Sequence, residues 1–155
     1  MRIIYTTLLF VHVLAVVVWV GGMFVLHFAV RPSAVRLQEP SVRLTFLSSA
    51  LGRFMSWAAL SIIVLLASGL AMILIGGGFK NAHLSVHLML AVGLVMMLLY
   101  LHIRFAPFKR MRAAVMASDW AAAAANLDQV RKMVLINLVL GFITIAIATI
   151  GRAAL

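Results

Sequence analysis

The sequence has no cysteine, three acidic residues and three prolines in 155 positions. Without cysteine there are no disulfides, no thiolate nucleophile, no iron–sulfur ligation and no Cys-based zinc or copper site. Charge of either sign is scarce. Asp, Glu, Lys and Arg make up 10% of the chain, against about 25% in a soluble domain. Hydrophobic residues fill the gap at 66%, and the mean hydropathy is +1.19. A water-soluble enzyme and a disordered tail are both excluded. The charge that remains is basic: 13 Lys and Arg give a net +10. On a soluble protein that balance would point to nucleic acid. On a membrane protein it reports topology and contact with anionic headgroups, so the expected partner is the lipid bilayer and not nucleic acid.

The few charges divide the chain into four uncharged windows, 3–30, 54–79, 81–103 and 133–151. A helix needs roughly 20 residues to cross the hydrocarbon core of about 30 Å. Backbone groups in lipid must be bonded within their own segment, so the spans are helices. They are placed near 4–30, 54–77, 83–105 and 133–151. The expected fold is an all-α integral membrane four-helix bundle, one domain over 1–155. Residues 31–53 should hold a short interfacial helix. Gly76-Gly77-Gly78 should make a tight turn. Residues 113–130, with Ser118-Asp119 as a cap, should extend helix 4.

Orientation follows from the basic residues. Arg31, Arg36, Arg43, Arg53, Arg104, Lys109, Arg110, Arg112, Arg131 and Lys132 fall on one side of the bilayer, and Arg2, Lys80 and Arg152 on the other. The positive-inside rule then puts both long loops in the cytoplasm and both termini in the periplasm of a bacterial inner membrane. Trp57 and Trp120 lie near the basic side, as an interfacial belt requires. The first apolar run is too long for a signal peptide and no A-x-A site follows it, so it reads as a retained span.

Spans 1 and 3 align at an offset of 75. His12 matches His87, His27 matches His102, and Pro32 matches Pro107. Two histidines and a proline in register suggest a parallel duplication, repeat 1 at about 4–77 and repeat 2 at about 83–151, related by an axis along the membrane normal.

Histidine inside a membrane helix is a functional hypothesis by default. His12 and His87 belong to the outer half of the bilayer, and His27 and His102 to the inner end. The separation along each helix is roughly 22 Å at 1.5 Å per residue. Two imidazoles from facing helices at one height are what six-coordinate haem iron needs. The main expectation is therefore one or two b-type haems between spans 1 and 3, in an electron-transfer protein. Gly21, Gly22, Gly69, Gly93 and Gly141 would leave room for the porphyrin, and Arg31 and Arg104 would receive its propionates. Asn137 would orient an imidazole, and Trp19 would pack against the cofactor. The alternative is copper. His83 and His87 share a helix face at i, i+4, and Met23, Met72, Met89, Met96 and Met97 supply thioethers that suit Cu(I). The blander readings are snorkelling for His27 and His102, a solvated residue for His83 and gap filling for the methionines. No hydrolytic site is present, and redox activity is the one enzymatic possibility.

The run His12-x6-Trp19-Val20-Gly21-Gly22-Met23-Phe24, followed by Arg31-Pro32, resembles the CopD-like family of bacterial copper-resistance membrane proteins. The similarity continues through His87, the His102–Pro107 end of span 3, Asp119-Trp120 and Asn137-Leu138-Val139-Leu140-Gly141. It implies copper homeostasis and a small periplasmic copper-binding partner. The span 1 pattern also resembles the HemJ-type haem b membrane proteins, which implies haem with a redox partner or quinone. Either reading is compatible with a homo-oligomer.

Overall fold

The computed structural model describes residues 2–151; Arg152, counted above among the outer basic residues, lies outside them. The chain is all-α. Helix α1 covers Arg2–Val25 and passes through a π-helical turn, Leu26–Val30, into α2, Arg31–Ala34. Helix α3 covers Pro40–Ile75, α4 Leu84–Phe105, α5 Pro107–Met116 and α6 Trp120–Thr149. A single 3₁₀ turn, Phe79–Asn81, joins α3 to α4. Four helical stretches, Arg2–Ala34, Pro40–Ile75, Leu84–Met116 and Trp120–Thr149, are long and apolar enough to cross a membrane. Their outer surfaces carry Ile3, Phe10, Val17, Ile63, Leu98 and Phe105, all more than half exposed. This is a multi-pass membrane protein whose apolar side chains meet lipid instead of water.

The helix ends follow local chemistry. Gly76, Gly77 and Gly78 close α3: the Gly78 N–H donates to the Ile73 carbonyl at 2.8 Å. Gly77 and Gly78 have φ of 93° and 85°, a region open to residues without a Cβ. Asp119 caps α6 as expected, its Oδ1 accepting the Ala122 N–H at 3.0 Å. Pro40 opens α3, where its missing N–H is no loss.

Two expectations are corrected. Residues 31–53 hold no separate interfacial helix: α2 continues span 1, a short turn follows, and α3 runs unbroken for 36 residues from Pro40. Residues 113–130 are not one extension of helix 4. Residues up to Met116 belong to α5, which starts at Pro107 after a break at Ala106 (φ −111°, ψ −90°). The two aligned prolines thus act differently. Pro107 ends a helix. Pro32 is absorbed into one, and the π-helical turn before it explains how. Proline has no N–H and crowds the carbonyl four residues back. Widening the turn shifts the register, so that the Arg31 N–H donates to Leu26 instead.

Helix α1 packs along α3, and α4 along α6, with α1 also touching α6. Spans 1 and 3 face each other only across the diagonal. There the Trp19 ring meets Tyr100 edge-on, centroids 6.5 Å apart. The Tyr100 hydroxyl donates to the Met55 carbonyl at 2.7 Å. Met23, Met55, Ile103 and Leu138 fill the space around them. Lipid tails are as apolar as these side chains, so close packing and such hydrogen bonds hold the bundle together. At the basic end α5 lies against α6. Phe108 and Met111 are buried, and Arg110 donates to Asn126 Oδ1 and Gln129 Oε1.

Candidate metal-ligand site at His12

The far end of the bundle, opposite the basic loops, holds three histidines in different settings. His12 is half-buried on α1 and turned to α3. Its Nδ1 lies 2.8 Å from Ser68 Oγ. Ser68 is buried, and its one hydroxyl proton already goes to the Val64 carbonyl at 2.6 Å. The oxygen can then only accept, so His12 Nδ1 carries the proton. A neutral imidazole protonated at Nδ1 keeps its lone pair on Nε2. Gly69 makes the approach possible: a Cβ there would sit 3.3 Å from His12 Cε1. A histidine with one nitrogen fixed by a hydrogen bond keeps the other as a possible ligand atom, as metal-binding histidines do.

His83 and His87 are both exposed. His83 is the N-cap of α4, its Nδ1 accepting the Ser85 N–H at 3.4 Å. That bond occupies the Nδ1 lone pair and leaves the proton on Nε2, so neither His83 nitrogen is free for a metal. His87 Nδ1 donates to the His83 carbonyl at 3.3 Å, and its ring lies 6.2 Å from that of Phe79. The i, i+4 pair therefore presents one free lone pair, on His87, and not two. Among the described residues no group of three or more His, Asp or Glu is placed to hold a metal ion.

The other histidines are not drawn into opposed pairs. His27 is half-buried in the π-helical turn with its ring beside Phe28, and His102 is exposed. His12 is committed to span 2, not to span 3. Among the described residues no histidine of span 1 makes a hydrogen bond or ring contact with a histidine of span 3, and a haem between these spans gains no support from the structure. Gly21 and Gly93 are half-buried and have nothing within 4 Å of where a Cβ would stand. Asn137 is 2% exposed and its Oδ1 has no hydrogen-bond partner, so it does not orient an imidazole. Arg31 and Arg104 are half-buried at the basic end.

Residues 48–150 match the profile of the CopD family, described as copper resistance protein D. The chain belongs to the CopD family. The match covers spans 2, 3 and 4 and starts beyond the span 1 motif. No curated protein and no solved structure matches the chain. The family description names copper, not haem, and the haem expectation gains no support from it. For this CopD protein the residue missed by the sequence reading is Ser68. The signal was present: His12 stands 10 residues after the start of α1 at Arg2 and Ser68 seven before the end of α3 at Ile75, so the antiparallel helices bring them to similar depth.

Proposed function

We propose that this CopD protein is a copper-homeostasis component of the bacterial inner membrane, with copper as its cargo and both termini in the periplasm. The observation that carries the reading is His12, whose Nε2 lone pair is left free by the Ser68–Val64 hydrogen-bond chain. Imidazole and thioether are ligands that Cu(I) accepts. Met72 lies one turn beyond Ser68 on the same face of α3 and is the thioether we assign beside His12. His87 at the exposed rim supplies an entry ligand from the periplasm, where a small copper-binding protein would deliver the ion. Electron transfer through paired haems is not carried forward, because His12 is bonded to Ser68 on span 2 and the family description names copper. The test is copper tolerance and cell-associated copper in a strain relying on this protein. His12→Ala should abolish the effect of expression on both. A His12→Ala strain indistinguishable from wild type would refute the reading.

A further inference from the structure

At the basic end the π-helical turn leaves a small cleft between span 1, α3 and α6. Leu47, Leu51 and Val134 form its walls, and His27, Arg31 and Arg131 stand at its rim. The three basic side chains come from two helices. All are half-buried. Arg131 is held by Asp128 at 2.7 Å, and Lys132 shares that carboxylate at 2.9 Å. Arg31 forms no ion pair among the described residues. One carboxylate thus stands among three full positive charges, Arg31, Arg131 and Lys132, which leaves the rim with an excess of positive charge.

His27 lies in the widened turn and Arg31 four residues on, on the same side of span 1. π-Helical turns are frequent at functional sites. A small anionic head suits the mouth of the cleft: its charge would answer Arg31 and Arg131, while any tail attached to it would stay in the surrounding bilayer. Basic pockets between spans at a membrane face are where anionic lipid headgroups bind.

We infer that the rim of the His27–Arg31–Arg131 cleft is a binding site for an anionic phospholipid, its phosphate diester on the two guanidinium groups and its acyl chains in the surrounding bilayer. The inference is independent of the copper reading. The experiment is native mass spectrometry of protein exchanged into nanodiscs of mixed phosphatidylglycerol and phosphatidylcholine. Wild type should retain one phosphatidylglycerol per chain. Arg31→Gln with Arg131→Gln should reduce retention at least 10-fold, with helical circular dichroism unchanged. Arg112→Gln, an exposed charge on α5, should retain the lipid. Glycerol phosphate, the same headgroup chemistry without chains, should bind far more weakly. Equal loss in Arg112→Gln would show a diffuse charge effect, and tight binding of glycerol phosphate would show a free-phosphate site. Either result, or full retention in the double variant, overturns the inference.

Discussion

His12 Nδ1 and Ser68 Oγ lie 2.8 Å apart, and the serine's own proton is spent on the Val64 carbonyl. One hydroxyl on span 2 therefore sets the tautomer of a histidine on span 1. Ser68→Ala removes the acceptor and leaves the ring free to flip. Loss of such a supporting hydrogen bond lowers metal affinity roughly 10–100-fold. Ser68→Thr keeps the hydroxyl and the bond to the carbonyl one turn back, so it should restore most of that loss. A competition titration with a Cu(I) chelator measures both. Equal affinities for wild type and Ser68→Ala would remove Ser68 from the site.

Glycines at two positions should respond in opposite ways. A Cβ on Gly141 would meet Val20 Cγ2 at 3.0 Å and Met96 Cε at 3.4 Å. Val20 is β-branched, buried and held to one rotamer in a helix, so it yields poorly. Gly141→Ala should destabilise the bundle by about 1–3 kcal/mol through overpacking. A Cβ on Gly93 meets nothing within 4 Å. Gly93→Ala should be neutral or stabilising, by up to about 1 kcal/mol from helix propensity. Unfolding in mixed micelles of rising denaturing detergent orders the two. The reverse order would contradict the packing described for α1, α4 and α6.

Asn137 Oδ1 is buried without a partner. An unsatisfied buried group costs about 1–3 kcal/mol, whereas an apolar group of similar shape avoids that penalty. Asn137→Leu should unfold at the same or higher denaturant than wild type. Marked destabilisation would mean that the amide is bonded in the native protein.

The spans, the Gly76–Gly78 turn and the Asp119 cap were legible in the sequence because each rests on a local rule: an uncharged run, a residue without Cβ, a short acceptor before a helix. Neighbour choice was not legible. Lipid-facing and interior positions of a membrane helix draw on the same apolar residues, so hydropathy says little about which face meets which helix. Register between spans 1 and 3 paired His12 with His87, while depth in the antiparallel hairpin pairs His12 with Ser68. The alignment also treated Pro32 and Pro107 as equals, though backbone context makes one a π-helical turn and the other a break.

Topology can be read cleanly because the chain has no native cysteine. Gln38→Cys lies in the basic turn between α2 and α3, and Lys80→Cys in the glycine-rich turn at the far end. With both termini in the periplasm, a membrane-impermeant maleimide should label Lys80→Cys in cells with a permeabilised outer membrane. Gln38→Cys should react only after the inner membrane is opened. The opposite pattern would invert the orientation.

The proposed copper site stands or falls with His12 Nε2 as a ligand. X-ray absorption at the copper edge, on protein loaded with Cu(I) in detergent, tests it most directly. The bound Cu(I) should amount to one per chain with an imidazole nitrogen and a sulfur in its coordination shell, the nitrogen scattering lost or weakened in His12→Ala. Identical spectra and stoichiometry for wild type and His12→Ala would contradict it, as would purified protein that carries a haem Soret band and takes up no copper.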